Sequence, residues 1–255
     1  MLAAYFDDSG THDSSRVVVW GGFMATSEQW NAFDEAWRTK LKEPLPGKPT
    51  LKKFSLSKCQ GLHGEFENYS RTESDLVQNE FRQIIIDHNL LGVAFAVDRA
   101  AYDRLMTKPA IDLFGDAETM CFSACFNDAI DKSVRIFPEE EQLSLHFDQG
   151  RMSPKLTALV DRAKNNYSGP PELVNISFDI VGKITPLQAA DIIATENYWH
   201  AQGVIDGNPE PRAHFAHFLE RVSTSGYILD APQIIQTMKD HGLELPRPIF
   251  SGPSQ

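Results

Sequence analysis

Cysteine is scarce in this chain, with three among 255 residues, at Cys59, Cys121 and Cys125. Cys121 and Cys125 stand four apart in a helical stretch and Cys59 reads as a loop residue. Neither zinc-ligand spacing nor an even count for a disulfide framework is present, so all three are expected to be reduced and unreactive. Long apolar runs are missing too. None approaches the roughly 18 residues of a membrane span, and MLAAYFDD lacks the basic start and apolar run of a signal peptide. The expectation is a cytoplasmic protein without a membrane partner. Positive charge is also in short supply, with 24 Lys and Arg against 35 Asp and Glu and a net charge of -11. That works against phosphate binding by lysine and arginine alone. It does not exclude nucleic acid, because Arg38, Lys40, Lys42, Lys48, Lys52, Lys53 and Lys58 crowd one stretch opposed there only by Glu43. They make a local basic loop on an acidic body.

What is present is ordinary globular composition, 42% hydrophobic and 23% charged, in a chain long enough to bury a core without staples. One domain over 1–255 is expected, with a core over about 1–202 and a C-terminal helical extension over about 203–255. LAAYF (2–6) and VVVWGGFMA (17–25) read as a hairpin joined by turn formers. A helix starts at Thr26 or Ser27 and carries Trp30, Phe33, Trp37 and Leu41 on one stripe. Residues 43–72 show no sustained periodicity and read as a loop insertion after that helix. A second helix over 73–88, with Leu76, Val77, Phe81, Ile84 and Ile85 as its buried side, leads into a strand at 91–97. Helices near 116–132, 153–166 and 186–201 then alternate with strands at 143–147 and 173–180, and one or two helices and a Pro-rich tail fill 209–255. Such alternation implies parallel strands joined by helical crossovers. The expected fold is α/β, a mixed five-stranded sheet flanked by helices.

Three acids share one kind of setting. Asp7 directly follows LAAYF and Asp148 directly follows LSLHF (143–147), so both end strands where open α/β sheets hold ligands. Asp191 lies within LQAADIIA (187–194), on a stripe with Leu187, Ala190, Ala194 and Tyr198. A carboxylate there needs a partner, a hydrogen bond or a metal. The small Ala189, Ala190 and Ala194 let that helix approach the strands. Gathered carboxylates raise one another's pKa or recruit a cation, and an all-oxygen site favours Mg²⁺ or Mn²⁺. Two such ions roughly 4 Å apart activate water and stabilise a leaving oxygen of a phosphodiester. Each acid also has a plainer reading. Asp8-Ser9-Gly10 and Asp148-Gln149-Gly150 are turn-forming tripeptides, and Asp191 reads equally as the partner of an arginine or lysine.

YFDDSG (5–10), FDQ (147–149) and PLQAADIIA (186–194) resemble, in order, segments of the domain-of-unknown-function 3800 family, a branch of the ribonuclease H-like superfamily. The resemblance implies a ribonuclease H-like fold with Asp7, Asp148 and Asp191 as the acidic site residues and Gln188 as a neighbouring polar contact. The family's second acid in the opening motif is glutamate, whereas Asp8 here is one methylene shorter. Its frequent Phe-His pair is replaced by Phe54-Ser55, leaving His63 or His12 for any histidine role. Ribonuclease H-like enzymes commonly place a glutamate early in the helix before the fourth strand, the position of Glu118. That residue reads equally as a solvated helix-start acid favoured by the macrodipole. Glu196 is expected on the surface, and His214 and His217 are expected to be structural, without a partnered acid.

The function implied is a metal-dependent nuclease or phosphodiesterase with Mg²⁺ or Mn²⁺, two ions, held by Asp7, Asp148 and Asp191 and a fourth ligand at Glu118. Arg151, Lys155 and Lys183 would touch phosphates, and the partner would be RNA or DNA. The alternative is a non-catalytic binding or regulatory module on the same fold. An ATPase of the actin type would need a duplicated domain and phosphate loops that the chain lacks, and Ser9 has no G-x-S-x-G context for a nucleophile.

Overall fold

The computed structural model describes residues 1–12, 14–149, 154–180 and 182–244, without the side chains at 154, 155 and 164–166. The opening hairpin is β1 (Leu2–Ser9) and β2 (Val17–Thr26). Thr26 then caps α1 (Ser27–Lys42) in a reciprocal box, accepting from the Gln29 N–H while Gln29 Oε1 accepts from the Thr26 N–H at 3.0 Å. Two backbone donors at the helix start are thereby satisfied. The insertion is more ordered than its aperiodic sequence suggests. It contains α2 (Leu56–Gly61) and a 3-10 turn (Gly64–Phe66), so Cys59 is a buried helical residue and not a loop residue.

A second capping box, Ser70 with Glu73, starts α3 (Arg71–Asp87), which feeds β3 (Leu91–Asp98). Two short helices follow, α4 (Arg99–Leu105) and α5 (Lys108–Phe114). After them the chain alternates as expected: α6 (Ala117–Ile136), β4 (Gln142–Asp148), α7 (Pro154–Asn166), β5 (Glu172–Asp179) and α8 (Thr185–Ile205). It ends in α9 (Ala213–Leu219), β6 (Thr224–Leu229) and α10 (Ala231–Asp240).

The sheet is mixed, flanked by helices and six-stranded, in the order β5-β4-β1-β2-β3-β6. β1, β2 and β3 form an antiparallel meander, and β4, β5 and β6 join in parallel. The expected count of five strands is corrected by β6, which pairs with β3 where only helices and a tail were anticipated. TSGYIL hides its strand character because it is a half-exposed edge with a glycine inside it. That glycine is required, since a Cβ on Gly226 would lie 2.5 Å from the Ala94 carbonyl oxygen.

Strand alternation sorts the core into two layers. Leu2, Ala4, Phe6, Leu145 and Phe147 face α6, α7 and α10, while Ala3, Phe23 and Ala25 face α1, α3, α8 and α9. Helix α8 lies hard against the second face. A Cβ on Gly21 would sit 3.2 Å from the backbone of Ala194, so a side chain there would push the small-residue face of α8 outward. On α3 the inward side differs from expectation. Leu76 is exposed, and Ser74, Gln78 and Arg82 are buried one turn apart beside Val77, Phe81 and Ile85.

Ser74 donates to the Cys59 carbonyl and accepts from Gln78, and Arg82 is drawn in by Glu196 of α8, which is 1% exposed and not a surface residue. Its carboxylate meets Arg82 at 2.6 Å, Arg212 at 2.6 Å and His214 at 3.0 Å, which also gives His214 the acidic partner it was expected to lack. The network ties α3, α8 and α9 together. Burial pushes the Glu196 carboxyl up, but the His214 hydrogen bond and the two guanidinium groups outweigh it and hold the group at about 2.

Two stability predictions follow from this packing. Gly21→Val overfills the α8 contact and lowers the unfolding free energy by about 1–3 kcal/mol, read from the urea midpoint. Glu196→Gln strands the buried Arg82 and costs about 3–5 kcal/mol at neutral pH. Because Glu196 titrates below the ordinary 4.5 of a glutamate, its stabilisation is complete above that value and lost as pH falls toward about 2. The gap between variant and wild type should therefore narrow over that range.

Candidate metal centre

In the parallel pairing of β1 with β4, Phe6 stands opposite Phe147, so Asp7 and Asp148 are the next residues on each strand. Alternation places both on the α8 face, and across the hairpin Asp7 stands opposite Gly21. The missing side chain that admits α8 therefore lies beside the first acid, and Asp191 sits one turn before Ala194 on the incoming helix. Carboxylate oxygens of Asp7, Asp8 and Asp148 all lie within 4.8 Å of one another. These three and Asp191 line an open cleft of about 740 Å³, together with Thr11, His12, Ser57, Thr195, Tyr198 and Trp199.

Asp7, Asp8 and Asp191 are held differently. Asp7 is 7% exposed, and among the described residues its carboxylate accepts one hydrogen bond, from the Asp8 amide at 2.8 Å. Burial pushes its pKa well above the usual carboxylate range, and the charges of Asp191, Asp8 and Asp148 push it further. Asp8 is also raised by burial, against a hydrogen bond from the Thr11 hydroxyl at 2.5 Å. It stands in the cluster despite its shorter side chain.

Asp191 has a second occupation. Its Oδ2 accepts the Leu56 N–H at 2.8 Å and its Oδ1 takes a long contact of 3.4 Å from Thr195. Burial raises its pKa, while the Leu56 amide, Ser55, Thr195 and the charge of Lys53 act in the opposite direction. This residue both borders the cluster and fastens the start of α2.

The remaining candidates are distributed as follows. Gln188 is buried away from the cleft lining, its Oε1 accepting from Trp37 Nε1 at 3.1 Å and from the Phe54 N–H at 2.8 Å. Glu118 stands in the first turn of α6, outside the residues that line the cleft. The Cys121 thiol is pushed up by burial first, with smaller contributions from the charges of Glu118 and Asp8. Lys183 is exposed in the turn before α8, off the cleft lining. Arg151 and the side chain of Lys155 lie outside the described residues. His12 lines the cleft, and His63 is exposed on the insertion.

One acid escaped the sequence reading. Asp179, expected inside a strand running to 180, ends β5 opposite Asp148. Its carboxylate turns back along the sheet, accepting from the Ser177 hydroxyl at 2.7 Å and meeting His146 Nδ1 at 3.2 Å, with His146 stacked on Tyr5. Both Ser177 and Asp179 address the same ring nitrogen, so the trio lacks the two-nitrogen relay of a hydrolytic triad.

No protein-family model matches this chain, and no curated protein matches it. Among the described residues no helix is long and apolar enough to cross a membrane.

The raised pKa of Asp7 carries a stability consequence. A carboxyl that binds its proton more tightly folded than unfolded destabilises the protein as pH rises through the shifted range. Asp7→Asn should raise the neutral-pH stability of metal-free protein by about 1–3 kcal/mol. The same variant should abolish any rise in melting temperature produced by Mg²⁺ or Mn²⁺, measured by thermal shift with and without chelator.

Proposed function

We propose that this chain is a divalent-metal-dependent phosphodiesterase acting on nucleic acid, with a ribonuclease H-like fold and a kinship to the domain-of-unknown-function 3800 family. One observation carries the reading: three carboxylates from two adjacent strand ends converge within 4.8 Å in an open cleft. The order of the sheet supports the fold, because an antiparallel meander extended by parallel strands beside β1 is what that architecture requires.

The donor set fits a hard cation. Every candidate ligand is a carboxylate oxygen, with no thiolate or imidazole in the cluster, which suits Mg²⁺ or Mn²⁺ over zinc. Asp7, Asp8 and Asp148 would hold the first ion, and Asp191, on the same cleft, would be the added ligand for a second. Bound there, such ions polarise a phosphoryl oxygen and make water nucleophilic at neutral pH. The protein's own part is to keep Asp7 dry and fixed by its Asp8 amide, and to hold Asp191 steady through Leu56 and Thr195. The acidic cleft repels a bare phosphodiester, so substrate entry depends on the cation that these residues recruit.

A non-catalytic ion-holding module is the second reading. It is favoured by the lack of any lysine or arginine among the described residues lining the cleft. Incubation of labelled RNA and DNA with Mg²⁺ or Mn²⁺ separates the two. Wild-type protein should cleave, chelator should stop it, and Asp7→Asn or Asp148→Asn should lose at least the 10- to 100-fold that even outer-shell metal partners contribute. Cleavage unchanged in both variants would sink the assignment of the site, and no cleavage by wild type with either ion would leave the module.

A further inference from the structure

Four tryptophans occur in the chain, and three are core residues: Trp20, Trp30 and Trp37 are 2%, 5% and 0% exposed. Trp199 is 47% exposed and lies on the wall of the carboxylate cleft. It sits eight residues beyond Asp191 on the same helix, about 12 Å along the axis. A single exposed aromatic is common and needs no explanation. This one is supported by a fixed cation, since the Arg212 guanidinium lies over its ring at 5.8 Å from the centroid. Arg212 is in turn anchored to buried Glu196 at 2.6 Å. Tyr198 packs against the ring edge-on at 5.4 Å. The indole is therefore braced from two sides, at the mouth of a cleft whose described lining offers no lysine or arginine for phosphates.

We propose that Trp199 is a stacking platform for an unpaired base, so that the substrate of the cleft is single-stranded nucleic acid. The argument is one of complementary chemistry. A binding site that tracks a duplex needs basic side chains along two phosphate backbones, and a duplex keeps its base faces stacked on one another. A single strand presents base faces, and stacking on an aromatic ring supplies affinity without base-specific hydrogen bonds. Arg212 over the ring adds a cationic partner to the stack. The proposal rests on the metal-centre reading for where the scissile phosphate lies, so binding is measured apart from cleavage.

Since Trp199 is the exposed tryptophan, ligand-induced quenching of intrinsic fluorescence reports on it. With Ca²⁺ in place of Mg²⁺, a short single-stranded oligonucleotide should quench that signal, while its duplex and a nucleoside monophosphate at equal concentration should not. By anisotropy of a labelled strand, Trp199→Ala should weaken binding roughly 5- to 150-fold, the range expected for one lost base stack, and Trp199→Phe should recover most of it. Equal quenching by the duplex, equal quenching by the monophosphate, or a Trp199→Ala variant that binds like wild type would each overturn the proposal. A strand cleaved by wild type and Trp199→Ala alike would remove the platform and keep the nuclease. A strand that stacks on Trp199 but is never cleaved would keep the platform and remove the nuclease.

Discussion

The contact between α8 and the sheet at Gly21 and Ala194 is the constraint from which the rest of the molecule is arranged. A Cβ on Gly21 would stand 3.2 Å from the helix backbone, so helix and strand approach as closely as two main chains with small side chains allow. Once α8 is seated there, its side chains have fixed assignments. Gln188 and Asp191 reach back to the insertion, Glu196 reaches α3 and α9, and Trp199 reaches the cleft. Because Gly21 is also the hairpin partner of Asp7, the packing contact and the acidic cluster share one location. Packing there and chemistry there are not independent.

Two acids close to this helix show opposite electrostatics at similar depth. Asp7 and Glu196 are both nearly inaccessible, yet burial drives the first upward and the second ends at about 2. The difference is in what faces them. Two guanidinium groups and an imidazole face Glu196, whereas three further carboxylates face Asp7. A buried charge is tolerable when paired and costly when surrounded by its own sign. Glu196 is the stable solution within the fold alone, and Asp7 is the residue whose environment calls for a cation from outside.

Much of this was legible in the sequence, and the failures have physical reasons. The Thr26 cap and the Trp30, Phe33, Trp37 and Leu41 stripe gave α1 correctly, because local hydrogen bonding and a clean 3.6-residue period act together. The strand ends at Asp7 and Asp148 could be read because a short apolar run stopping at an acid is a local signal. Glu196 could not, since its three partners lie 114, 16 and 18 residues away along the chain. Its burial also reverses what charge alone suggests. Buried polar pairing also explains why Leu76 was misplaced: α3 turns Arg82 inward to Glu196 and Ser74 inward to the Cys59 carbonyl, with Gln78 between them, which an apolar period does not report. Strand β6 was missed because an edge strand with one wet face needs little hydrophobicity. Asp179 was overlooked because the strand was expected to run on through Ile180, whereas β5 ends at Asp179.

Gln188 and Asp191 hold the insertion by two main-chain amides, those of Phe54 and Leu56. A grip on N–H groups reads the path of the backbone and is blind to which side chains the path carries. Proline excepted, the residues at those two positions are free to drift as far as this attachment is concerned. The insertion is thus held twice, by amides that fix its path and by Phe54, Leu56, Cys59 and Phe66, which bury it in the core, so that only its outward-facing positions can change the surface presented beside the cluster of acids.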